Sequence, residues 1–312
     1  MSPFLTLLLK LIPLYLVIML GYLMGRFSDI NRETIAKILI YIIAPIVVFN
    51  GAFKAQISTV TLLLPFIFFG IGCVLCGSFY YIAKRVGFSG AEKNIISFTS
   101  GTANTGYFGL PVAIAIFGND IAPIAILLGL GTLLYESTLG FFVLAKGHYS
   151  TKDSFKRILK LPNIYAYLIG LSANVLHIHL GDNYATLASS FLGSYSVLGM
   201  LLIGLALPNI GKFCFDYKFN LLIFFIKFIA WPLLTLSIIS LINYWLPHFF
   251  SPVLIGVMLL LSVVPLAANT VAYTVFLKIL PEKTALTVLL STLWSLIYIP
   301  LVILLVQMFS PF

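Results

Sequence analysis

Long apolar runs separated by short polar stretches make up almost the whole chain. A run that crosses a hydrocarbon core needs about 20 residues, and ten such runs are predicted, over residues 5–26, 35–53, 61–83, 94–117, 121–145, 163–178, 188–210, 219–244, 252–279 and 284–308. Period-two alternation is missing and the runs are too long for barrel strands, so a transmembrane barrel is excluded. No basic stretch precedes the first run and no small-residue cleavage site follows Gly25, so it reads as a retained helix rather than a signal peptide.

One extended polar stretch, "KGHYSTKDSFKRILKLPN" from Lys146 to Asn163, divides the ten runs five and five. Two halves with an odd number of spans enter the bilayer in opposite directions, so similarity between them describes an inverted repeat. "IPLYLVIMLG" from Ile12 aligns with "LPNIYAYLIG" from Leu161, and "GTLLYES" from Gly131 with "STLWSLI" from Ser291. The tetrapeptide "ANTG" in the fourth run, Ala103 to Gly106, returns as "ANTV" in the ninth, Ala268 to Val271. The expectation is therefore an all-α polytopic membrane protein of ten transmembrane helices in a 5+5 inverted repeat. Its halves are 1–148 and 163–312, joined by a cytoplasmic linker at 149–162.

The fourth and ninth runs carry the residues least suited to a membrane helix. Gly101, Gly106, Gly109 and Pro111 weaken the fourth around Asn104, and Pro265 removes a donor from the ninth just before Asn269. Unwound backbone is tolerated in a bilayer only where it lines a protein-walled or watery cavity. Paired breaks in inverted halves point to a transport site at the midplane, where freed N–H groups and positive helix ends attract anions. Candidate substrate contacts are Asn104, Thr105, Gly106, Asn269 and Thr270, with Gly101, Pro111 and Pro265 as helix breakers. The plainer alternative is close helix packing through small residues such as Gly106 and Gly109.

Composition agrees with this picture: 61% of residues are hydrophobic, 9% are charged, and the mean hydropathy is +1.11. The net charge of +9 does not indicate nucleic acid, because the basic residues alternate by loop. Arg26, Arg32, Lys37, Lys84, Arg85, Lys93, Lys146, Lys152, Lys156, Arg157, Lys160, Lys212, Lys218, Lys278 and Lys283 flank odd-numbered loops, against Lys10 and Lys54 on the other side. By the positive-inside rule the odd loops are cytoplasmic and both termini lie outside a plasma membrane.

Within the runs, Glu136 is the one acid placed well inside and Lys227 its basic counterpart. A charge at the bilayer centre costs roughly 2.5–3.5 kcal/mol on insertion scales, so each is a functional candidate. They read either as a structural ion pair or, for Glu136, as the binding group for a coupling proton or sodium ion. Cys73 and Cys76 form a CxxC without a second pair or a histidine partner, and read as packing residues; Cys214 stands alone. His177 and His179, with only Asp182 near, read as interfacial histidines, so no metal site is expected.

Several stretches together resemble the auxin efflux carrier family, which includes bacterial malate and malonate permeases and plant auxin exporters. They are "LYLVIMLGYLMGRF" in the first run, "KILIYIIAPIVVF" in the second, "GTANTGYFGLPV" in the fourth, "LPNIYAYLIGL" in the sixth and "STLWSLIYIPLV" in the last. The resemblance implies a fold akin to sodium/proton antiporters and bile-acid symporters, with fourth and ninth helices that break and cross. It also implies a dimerising scaffold of helices one, two, six and seven, and a mobile transport domain of helices three to five and eight to ten. The binding role falls on Asn104 and Asn269. The short central loop lacks the regulatory region of the plant exporters, and "AYTVFLKILPEK" after Asn269 lacks the Tyr-Gly ending of bacterial relatives.

No P-loop motif is present, so an ATP-driven pump is not expected, and the runs hold no HExxH, paired aspartates or GxSxG for an intramembrane enzyme. The sequence-level expectation is a secondary carrier for small organic anions, without cofactor apart from a coupling ion, acting by an elevator-type step. The alternative is a sodium- or proton-coupled antiporter or symporter of the same fold with Glu136 as the coupling site.

Overall fold

A computed structural model describes residues 3–55, 58–209 and 216–309, and among these residues every regular element is helical. The helices are α1 (Pro3–Phe27), α2 (Arg32–Phe53), α3 (Thr59–Arg85), α4 (Gly90–Ser100), α5 (Leu110–Phe117) and α6 (Ala122–Ala145). There follow α7 (Thr151–Ile158), α8 (Asn163–Val175), α9 (Gly181–Ala206), α10 (Tyr217–Trp245), α11 (Pro252–Ser262), α12 (Asn269–Leu277) and α13 (Pro281–Phe309). Lys212 and Cys214 lie outside the described residues.

Six of these helices, α2, α3, α6, α9, α10 and α13, contain apolar stretches long enough to cross a bilayer. The chain is a multi-pass membrane protein. Three of the expected runs differ from simple spans for physical reasons. The fourth and ninth are each divided by a stretch without helix, at 101–104 and 263–268. The sixth forms α8, 13 residues long, which rises about 20 Å against a hydrocarbon core of about 30 Å.

Glycines fix the closest approaches. A Cβ on Gly21 of α1 would lie 2.3 Å from the Leu201 carbonyl oxygen of α9, and one on Gly204 of α9 would lie 2.0 Å from the Ile18 carbonyl oxygen. The contact of α8 with α2 is alike: a Cβ on Gly170 would lie 2.5 Å from the Phe49 carbonyl oxygen. Gly21 and Gly170 are the two glycines that align between the halves of the sequence. Backbone-to-backbone contact of this kind is how small residues hold membrane helices together.

Candidate functional site

The two chain breaks meet. The backbone N–H of Asn104 donates to the Pro265 carbonyl at 2.8 Å, and the Leu266 N–H donates to Ser291 Oγ at 3.2 Å. Backbone polar groups that have left their helices are thus satisfied inside the protein, as hydrocarbon surroundings require.

Each break is built by the residues around it. Gly101 is the C-cap of α4, and a Cβ there would lie 2.4 Å from Tyr135 Cζ and 2.7 Å from the Gly72 carbonyl oxygen. The Tyr135 hydroxyl, reaching across from α6, donates to the Phe98 carbonyl at 2.8 Å and the Ser97 carbonyl at 3.2 Å. It takes up carbonyls at the end of α4 that helix geometry leaves open. Past the break, Thr105–Gly109 forms a π turn closed by Gly109 N–H to the Asn104 carbonyl at 2.9 Å, and Pro111 enters the first turn of α5 where its missing N–H costs nothing. In the second break, Pro265 precedes α12, whose first residue is Asn269.

Glu136 and Lys227 both sit in π turns, Glu136–Gly140 in α6 and Ile226–Ala230 in α10. Such turns insert an extra residue, re-aim side chains and concentrate at functional sites. Of the two readings, the direct ion pair is not formed. Lys227 Nζ donates instead to the Thr102 carbonyl at 3.3 Å and lies 4.6 Å from the Trp231 ring centre. The Glu136 carboxylate accepts from Asn269 Nδ2 at 3.1 Å. The two charges thus hold different breaks, Lys227 the first through the Thr102 carbonyl and Glu136 the second through the Asn269 amide. Lys227 thereby stands at the negative end of α4, where a cation is favoured.

A cavity of about 340 Å³ lies against the breaks. It runs from Lys54, Ala55 and Pro123, at the ends of α2 and α6, inward to Glu136. Asn104, Thr105, Gly106 and Asn269 line it, so four of the five sequence candidates are brought together. Thr270 is not in the lining: it is fully buried in α12 and its hydroxyl has no hydrogen-bond partner among the described residues. Thr105 Oγ1 lies 3.2 Å from Thr132 Oγ1, which donates on to the Gly129 carbonyl at 2.8 Å. A Cβ on Gly106 would meet nothing within 4 Å, so this glycine leaves open space in the wall.

Asn269, expected as a substrate contact, also has partners within the protein. Its Nδ2 donates to Glu136 and to the Tyr195 hydroxyl, so both amide hydrogens are engaged. The amide holds Glu136 in place and leaves Oδ1 as its remaining polar group. Sequence reasoning passed over Tyr195, Thr132, Asn50 and Lys54, which line the same cavity. Asn50 Oδ1 is buried without a partner among the described residues. The signal for Tyr195 was the polar run "SSFLGSYS" within α9, and for Asn50 and Lys54 the polar end of the second apolar run. Cys73 and Cys76 are free thiols, and no cluster of three metal-binding side chains forms among the described residues.

No family model matches the chain. Over 304 residues it is 26% identical to an uncharacterized transporter of Methanocaldococcus jannaschii, an alignment covering 92% of this chain and 96% of that protein. Over 200 residues it is 26% identical to an uncharacterized transporter of Methanothermobacter thermautotrophicus, covering 61% of this chain and 63% of that protein. The chain thus spans slightly less than two thirds of the second relative's length and nearly all of the first's.

Proposed function

We propose that the chain is a secondary transporter of small organic anions, carboxylates such as malate, malonate or an indole acid, and that Glu136 takes up a coupling cation together with the substrate. The observation that carries this reading is the cavity shared by Glu136, Asn104, Thr105 and Asn269 at the meeting point of two broken helices. Transporter-named relatives and the resemblance to auxin efflux carriers support the same class. No group in the cavity calls for an enzymatic step.

Charge decides for coupling. Two like charges about 4 Å apart repel by roughly 4 kcal/mol at an effective dielectric constant of 20. A carboxylate among Asn104 and Thr105 therefore binds well only when Glu136 is neutralised, by a proton or by sodium. The π turn and the amide of Asn269 keep Glu136 at the cavity wall for that purpose, while Lys54 offers a cation at the mouth.

The architecture that fits this function is ten helices in two inverted halves of five. Matched Gly21 and Gly170 make equivalent cross-half contacts, and matched "ANTG" and "ANTV" sit at the two breaks. In this reading the helices at 3–53 and 163–206 form a scaffold that pairs with a second copy. The others carry the site across a plasma membrane in an elevator step, with both termini outside. Uptake of labelled malate, malonate and indole acetate into proteoliposomes tests it, with and without proton and sodium gradients. Expected is uptake of at least one anion that an inward cation gradient drives and Glu136→Gln uncouples. Failure of the purified protein to bind or move any of the three overturns it.

A further inference from the structure

Helix α7 lies between the end of α6 at Ala145 and the start of α8 at Asn163, so it joins two segments of the membrane-embedded body. Its inner face is anchored. Ser154 is fully buried, Ile158 packs against the core, and the Arg157 guanidinium stacks 3.7 Å from the Tyr149 ring centre. Its start is capped by Ser150, whose Oγ accepts from the Asp153 N–H at 3.1 Å and donates to Asp153 Oδ2 at 2.7 Å. Its end is tied to α8 by the Tyr165 hydroxyl, which donates to the Leu159 carbonyl at 2.9 Å.

The outer face is of a different kind. Lys152, Phe155, Lys156, Leu159 and Lys160 are exposed, and their spacing of three, four, seven and eight residues places them on one side of the helix and its last turn. Phe155 is 56% exposed and Leu159 52% exposed, between three lysines. A water-facing loop gains nothing by presenting a phenyl ring and a leucine between ammonium groups. A bilayer surface accommodates both, with apolar side chains in the acyl boundary and flexible lysine stems reaching up to headgroups. Tyr165, 48% exposed at the start of α8, adds the interfacial aromatic that marks this depth. From Lys146 to Lys160 five basic residues face one acidic one, Asp153, which Ser150 already engages.

We propose that this outer face is a binding surface for the phosphate headgroups of anionic phospholipids on the basic side of the membrane. Juxtamembrane lysine clusters attract anionic leaflets, each residue adding to the effect while it stays within a Debye length of the surface. The helix connects the halves of the chain, so lipid bound here bears on how they move. The surface is separate from the cavity and does not depend on what the cavity carries.

The test uses the full-length protein purified in neutral detergent and titrated with phosphatidylglycerol or, in parallel, phosphatidylcholine, with thermal unfolding as the readout. Expected is a rise in melting temperature with phosphatidylglycerol that exceeds the phosphatidylcholine rise and shrinks at high salt. At least half of the excess should vanish in Lys152→Gln/Lys156→Gln/Lys160→Gln. Phe155→Ser/Leu159→Ser should lower the response to both lipids. All five positions are exposed, so the variants retain the fold. An undiminished phosphatidylglycerol response in the triple variant overturns the proposal. So does a response to soluble polyglutamate in place of lipid, which would assign the face to an acidic protein partner.

Discussion

Lys227 and Glu136 each hold one of the two breaks, the ammonium on the Thr102 carbonyl and the carboxylate on the Asn269 amide. The breaks are joined by the bond from the Asn104 N–H to the Pro265 carbonyl, so the two charges belong to one connected network. Lys227→Met and Glu136→Gln should each destabilise the protein. The double variant should be less damaged than the sum, with a coupling of about 1 kcal/mol, as for residues of one hydrogen-bond network. Chemical unfolding of the three purified variants measures this, and strict additivity contradicts the connection.

The break after α4 depends on the absence of one side chain. A Cβ on Gly101 would collide with the buried Tyr135 ring and with the Gly72 carbonyl, and neither has room to yield. Gly101→Ala should cost about 1–3 kcal/mol, the usual range for overpacking. Gly106→Ala, with open space around its Cβ, should leave stability unchanged and reduce only the volume available to a substrate. Equal loss of melting temperature in both variants would contradict the assignment of one glycine to packing and the other to the cavity.

These two glycines also mark how far the sequence could be read. "TSGTANTGYFGLP" announced a break because glycine, proline and asparagine are costly in a membrane helix, and its partner was found because "ANT" recurs. The matched Gly21 and Gly170 were visible as equal spacings in the aligned segments. What stayed hidden depends on rotation about helix axes. π turns at Glu136 and Lys227 have no local signature, so a direct ion pair looked natural where the fold gives the two charges separate partners. Thr270 follows Asn269 as Thr105 follows Asn104, yet α12 resumes at Asn269 and carries Thr270 away from the cavity.

On the basic side, away from the cavity mouth, ion pairs join α2 to the segment after α12. Arg32 meets Glu282 at 2.8 Å, and Lys278 meets Glu33 at 3.1 Å. Arg32 opens α2 and Lys54 follows its end, so these pairs lie about 30 Å from the mouth along a helix of this length. If transport proceeds by alternating exposure, they break when the site opens to the basic side. Arg32→Gln and Glu282→Gln should then raise labelling of cavity cysteines by a membrane-impermeant reagent added from that side. Arg32→Glu/Glu282→Arg should restore the wild-type level. Unchanged labelling in both single variants counts against a latch.

Acid should loosen the same side at a second point. Burial pushes the Asp216 carboxyl up, but the hydrogen bond from Lys283 and the Phe219 N–H outweigh it and hold the group below the usual carboxylate range. A carboxyl lowered on folding contributes stability above its unfolded pKa of about 3.9, and that contribution is lost as pH falls through the folded value. Melting temperature should therefore drop as pH falls below about 4 more steeply in the wild type than in Asp216→Asn, which keeps a side-chain oxygen for the cap. Parallel curves would remove Asp216 from the account.

The amide pair gives the sharpest test of the binding site, because its two members now have different tasks. Asn104 lines the cavity at the first break, whereas the Asn269 amide hydrogens are spent on Glu136 and Tyr195. Losing a hydrogen bond to a charged ligand typically costs about 1.5–3 kcal/mol, so Asn104→Ala should weaken anion binding roughly ten- to a hundredfold. Asn269→Ala removes a donor from the Glu136 carboxylate instead. Its anion affinity should fall less at low pH than at neutral pH, since a protonated Glu136 no longer needs that donor and no longer repels the substrate. Folding should persist in both, because the breaks are set by Gly101, Pro111 and Pro265 and by the bond from the Asn104 backbone to Pro265, which a side-chain change leaves intact. Binding isotherms on monodisperse variants at two pH values separate the roles. Identical pH dependence in the two variants would return Asn269 to an ordinary ligand contact, and normal affinity in both would take the anion out of this cavity.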